Sequence, residues 1–184
     1  MTLKQYVRFI IPANNKHIKT ACTLMGLSFF LRMLYFFGLT DLNTVSGMKW
    51  TFELILPALA CGGFIVLIGV LQWNHPGICG ILCSAMLLFL AIGNIGCGDA
   101  LRIVLSLVGY TLSAGLLFLT IGGYFPIRAI FNSFMWLSAG VRLFLFDLGN
   151  LSLKEWVLEA AVIFFLLSLT MFVNGMKPRP VHKA

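Results

Sequence analysis

Charge is scarce in this chain. Only 10% of its 184 residues are Asp, Glu, Lys or Arg, while 60% are hydrophobic. Soluble domains carry about a quarter charged residues, so the composition excludes an ordinary soluble fold and points to a membrane protein. Acids are the scarcer sign, six against thirteen Lys and Arg, for a net charge of +7. That excess could suit nucleic acid, but the basic residues gather toward the two ends of the chain. Such a distribution fits membrane topology signals better than a phosphate-binding face, and no nucleic-acid partner is expected.

Several chemical signatures are also missing. There is no glycine-rich phosphate loop, zinc-peptidase motif or serine elbow, so no cofactor, metal or catalytic residue is assigned. The five cysteines, Cys22, Cys61, Cys79, Cys83 and Cys97, lie mainly within apolar runs. They read as small packing residues, not as a disulfide framework. The start does not read as a secretory signal: mixed residues precede an apolar run that is too long, and no small-residue cleavage site follows.

What is present is a succession of six apolar runs, at 18–39, 50–73, 76–96, 100–122, 126–146 and 156–175. Each approaches the roughly 20 residues a spanning helix needs. In the second, Trp50 and Trp73 bracket about 34 Å of helix at the standard rise, the hydrocarbon thickness plus its interfacial belts. Pro76, Pro126 and the Gly149-Asn150 pair punctuate the loops. Residues 2–11 can place Leu3, Tyr6, Val7 and Ile10 on one face and Lys4 and Arg8 on another. They read either as an interfacial amphipathic segment ending at Pro12 or as a plain basic tail. The expected architecture is an all-α integral membrane protein, one domain over 1–184. Six short-looped helices sit in the bilayer of the cell membrane, with 176–184 as a cytoplasmic tail.

Orientation follows from the basic residues. With the N-terminus inside, Lys4, Arg8, Lys16, Lys19, Arg128, Lys177, Arg179 and Lys183 fall on the cytoplasmic face. Arg32, Lys49, Arg102, Arg142 and Lys154 fall on the other, so N-in, C-in is favoured. All six acids, Asp41, Glu53, Asp99, Asp147, Glu155 and Glu159, then lie on the outer side. Acids set topology weakly, so this asymmetry asks for another cause.

Several outer charges are embedded in the apolar runs. A lone charge at depth costs roughly 2.5–3.5 kcal/mol or more, so such groups should face the interior and pair. Hairpin connectivity suggests Arg32 with Glu53 and Arg142 with Glu159. The two hairpins also resemble each other: Arg32, aromatics and Asp41, then Trp50-Thr-Phe-Glu53; and Arg142, aromatics and Asp147, then Trp156-Val-Leu-Glu159. A parallel internal repeat and chance similarity are equally compatible with this. Pro57 removes the helical bond to the carbonyl of Glu53, predicting a break that either lines a cavity or is a mere packing kink.

The expected ligand-binding residues are therefore Arg32, Glu53, Arg102, Arg142 and Glu159, set in an outward polar pocket for a small polar or anionic solute. The competing reading makes the same charges interhelical locks. His75, Cys79 and Cys83, spaced by four, could share a face as a nucleophile or metal site; without an orienting third group they read as structural. Gly62, Gly63, Gly69, Gly77, Gly80, Gly93, Gly96, Ser138, Ala139 and Gly140 would permit close helix approach.

In size, helix count and outward polar end, the chain loosely resembles the substrate-binding subunits of energy-coupling-factor transporters. The resemblance covers gross architecture alone. It implies solute binding outside, with uptake through membrane partner subunits; a second copy of the chain is the other partner considered. The alternatives are a membrane enzyme acting on a lipid-like substrate, and a regulatory or immunity-type membrane subunit whose charges are structural only.

Overall fold

Apolar runs without water to satisfy their backbone become helices, which bond their own N–H and C=O groups. A computed structural model of the chain describes residues 10–12, 14–39, 47, 50–70, 76–93, 95, 100–122, 127–144, 149 and 151–178. The described residues form six α-helices: α1 (Asn15–Leu34), α2 (Leu56–Val70), α3 (Pro76–Gly93), α4 (Ala100–Ile121), α5 (Arg128–Arg142) and α6 (Leu153–Asn174). A π-helical turn, Tyr35–Leu39, extends α1, and another, Trp50–Ile55, leads into α2. Among the described residues, three helical segments are long and apolar enough to cross a membrane: Asn15–Gly38, Ile103–Ile121 and Leu153–Asn174. Leu56–Leu67 and Gly77–Gly93 are shorter apolar helices. With 15 residues each, α2 and α5 span about 22 Å, less than the roughly 30 Å hydrocarbon core.

The helix starts follow local chemistry. Asn14 caps α1, its side chain accepting from the backbone N–H groups of Lys16 and His17 at 3.1 and 3.3 Å. The last helix begins at Leu153, ahead of the expected Trp156, because Ser152 and Glu155 form a capping box. Glu155 accepts from the Ser152 N–H at 2.8 Å while Ser152 Oγ accepts from the Glu155 N–H at 3.4 Å. Pro57 stands at the second residue of α2, directly after the π turn, and offers no N–H to the carbonyl of Glu53 four residues back. The ladder break expected at Glu53 is a change from π to α winding.

The helices pack in a ring. α1 lies most extensively on α6; α1–α2, α2–α3, α3–α4 and α4–α5 follow, and α5 meets α6 sparsely. Across that thin seam the Trp136 indole donates to Thr170 Oγ1 at 3.0 Å. Ser28 Oγ donates to the Ala161 carbonyl and Ser168 Oγ to that of Ala21, each at 2.7 Å, so α1 and α6 run antiparallel. One core gathers side chains from every helix, including Met25, Phe64, Met86, Leu117, Phe131 and Phe165.

Two short strands close the chain on itself. β1 (Ile10–Pro12) and β2 (Met176–Pro178) pair antiparallel, with Ile11 opposite Lys177. The Asn14 N–H adds a bond to the Gly175 carbonyl at 3.1 Å. Ile10 and Ile11, expected at the end of an amphipathic segment, are therefore extended; 1–9 lie outside the described residues. Gly175 is required by space: a Cβ there would stand 2.7 Å from Ile18 Cγ1 and 3.2 Å from His17 Cβ.

Candidate functional site

The residues expected from their charges to form a site fall at the far end of the bundle, opposite the strand clasp. Arg32 sits in the last turns of α1 with none of its surface exposed. One turn below it is Ser28, also fully buried. From α2, the Cys61 thiol lies 4.0 Å from Ser28 Oγ. From α3, Met86 Sδ lies 3.7 Å from Cys61 Sγ. Ser28, Cys61 and Met86 thus gather a hydroxyl and polarisable sulfur from three helices, one turn below Arg32.

Glu159, on α6, is 8% exposed. The register of the α1–α6 seam relates it to Arg32. Arg32 lies four residues beyond Ser28, about 6 Å along the helix; Glu159 lies two residues before Ala161, about 3 Å in the same direction. The two residues therefore stand within about 3 Å of the same depth on antiparallel neighbours. A turn further out, Tyr35 packs against Leu158 and closes over that level. Hairpin connectivity pairs Arg32 with Glu53 and Glu159 with Arg142, and the side chains of Glu53 and Arg142 lie outside the described residues. The dominance of the first-to-last seam brings Arg32 and Glu159 to one level, which the sequence reading did not anticipate.

The remaining expected residues are placed by their backbones. Glu53 lies in the π turn before α2, Arg102 in the first turn of α4, and Arg142 at the end of α5. By position these three belong to the same end of the bundle, but their side chains lie outside the described residues, as do Asp41, Lys49, Asp99 and Asp147. Glu155 is accounted for by its capping role. π winding follows both arginines of the compared hairpins, at Tyr35–Leu39 and at 143–144. The acidic halves differ, since Glu53 is in a π turn and Glu159 in regular α-helix.

Cys79 and Cys83 are buried members of the apolar core, and His75 lies outside the described residues. No group of three or more His, Cys, Asp or Glu among the described residues is arranged to hold a metal ion.

No protein family, curated protein or solved structure matches this chain.

Proposed function

We propose that this chain is a six-span protein of the cell membrane, both ends cytoplasmic, that binds a small polar or anionic solute at its outward end for transport. Arg32 is the main anion-binding group, with Glu159 at its level and Glu53, Arg102 and Arg142 completing the polar surround. The observation that carries this reading is the complete enclosure of Arg32 inside an apolar bundle. A guanidinium withdrawn so far is expensive, and intramembrane ionisable groups mark ligand or ion sites by default. Pairing of the two chain ends by the strand clasp supports an even number of spans. The resemblance to substrate-binding subunits implies a membrane partner subunit, and a second copy of the chain is the alternative.

A structural role for Arg32 is the competing reading, favoured by its place in the best-packed seam of the bundle. Native mass spectrometry of gently extracted protein separates the two. The solute reading expects a retained small molecule that Arg32→Gln loses while the melting temperature is unchanged. A wild type that retains none, or an Arg32→Gln variant that unfolds and is restored by adding Glu159→Gln, rejects the site in favour of a salt bridge.

A further inference from the structure

α1 turns two unlike faces outward and inward. Its buried residues, Ile18, Ala21, Met25, Ser28 and Arg32, form one stripe. The opposite stripe runs Lys16, Lys19, Thr20, Thr23, Leu27, Phe30 and Leu34, all exposed. These positions recur at three- and four-residue steps and so share one helix face. Along that face the chemistry changes once: cationic and hydroxyl over the first turns, apolar beyond. Leu27, Phe30 and Leu34 are 41%, 61% and 42% exposed. By contrast, the exposed face of α4 is apolar from its first turn, through Leu101, Val104, Leu107, Val108 and Leu112.

Asn15, Lys16, Lys19, Thr20 and Thr23 line a shallow, open depression of about 430 Å³. The helix end itself does not create it, because Asn14 already accepts from the first free backbone N–H groups. Thr20 and Thr23 donate their hydroxyls to the carbonyls of Lys16 and Lys19, at 3.0 and 3.1 Å. That fixes both rotamers and pins the wall of the depression.

We propose that this face binds an anionic phospholipid, its phosphate between Lys16 and Lys19 and one acyl chain along Leu27, Phe30 and Leu34. Charge complementarity selects the headgroup, since each lysine near a membrane surface adds attraction for anionic lipid. Continuity selects a lipid over a free phosphate: Thr23 and Phe30 are about 10 Å apart along the helix, so one molecule can reach both halves. The inference rests on α1 spanning a membrane and is independent of any role for Arg32.

The test uses the full-length protein in nanodiscs made from equal phosphatidylglycerol and phosphatidylcholine, with retained lipid counted by native mass spectrometry after release. Phosphatidylglycerol should be retained preferentially, with affinity falling about fivefold for each of Lys16→Gln and Lys19→Gln. Phe30→Ala should weaken retention without changing the preference for the anionic lipid, and inorganic phosphate should not compete. Lys154→Gln, which removes an exposed charge at the other end of the bundle, should change nothing. Equal retention of both lipids, an equal loss with Lys154→Gln, or displacement by inorganic phosphate overturns the proposal. So does a wild-type dimer that Phe30→Ala dissociates, which would assign the face to a second copy.

Discussion

Ser28 and Ser168 are reciprocal. Each is fully buried, each donates its hydroxyl to a backbone carbonyl on the other's helix at 2.7 Å, and the two bonds are two turns apart. Ser28→Ala or Ser168→Ala removes one donor and leaves a carbonyl that keeps its intrahelical partner. In membrane bundles such bonds average about 0.6 kcal/mol and reach about 1.7. Each variant should therefore lose on the order of 1 kcal/mol in a reversible unfolding assay in mixed micelles. Unchanged stability in the double variant would remove these bonds from the account of the seam.

Gly109 is the close-approach point between α4 and α5. A Cβ there would lie 2.6 Å from Ser138 Oγ and 2.8 Å from its Cβ. Gly109→Ala should destabilise by about 1–3 kcal/mol through overpacking, and adding Ser138→Gly should recover most of the loss. A double variant no better than Gly109→Ala alone would place the strain elsewhere.

Ser152 and Glu155 make separable demands on the last helix. Ser152→Ala should cost about 1 kcal/mol, read as earlier melting. Glu155→Gln preserves an acceptor for the Ser152 N–H and should be nearly silent in melting and in solute retention alike. A strong loss of retention with Glu155→Gln would add that residue to the ligand site.

Cys79 and Cys83 pack in the core. Cys79→Ala with Cys83→Ala should lower the melting temperature through lost packing, yet leave solute retention intact. Retention abolished in a still-folded double variant would reinstate a thiol chemistry.

Trp136 supplies a hydrogen bond across the sparsest seam, to Thr170. Trp136→Phe keeps most of the apolar surface and loses the donor, so a drop of about 0.6–1.7 kcal/mol is expected. Hydrogen exchange should rise in α5 more than in α1. Uniform exchange across both helices would deny the seam its separate character.

Hydropathy made the helices legible because burial in lipid is a property of whole runs. The expected starts at Trp50, Pro76 and Ala100 coincide with structural element starts, since tryptophan, proline and loop polarity mark interfaces directly. The last helix starts three residues ahead of its apolar run because the Ser152–Glu155 box is written in polar residues outside that run. Adjacency was hidden for a different reason. A serine in an apolar helix reads the same whether it bonds its own turn, as Ser84 does to the Gly80 carbonyl, or another helix, as Ser28 does. Connectivity favours hairpin neighbours, whereas the strand clasp and the first-to-last seam are contacts of maximal sequence separation. That is why the sequence relates Arg32 to Glu53 by connectivity and carries no sign of the depth it shares with Glu159.

The seam also dictates an order of events during synthesis. Ser28 and its acceptor Ala161 are 133 residues apart, so roughly 7–27 s of translation separate them at about 5–20 residues per second. The first helix is made first and completed last. Throughout that interval its serine and its arginine must be housed by something other than α6, whether insertion machinery, water or earlier-arriving helices. The nascent protein therefore carries its most polar span in its least protected state.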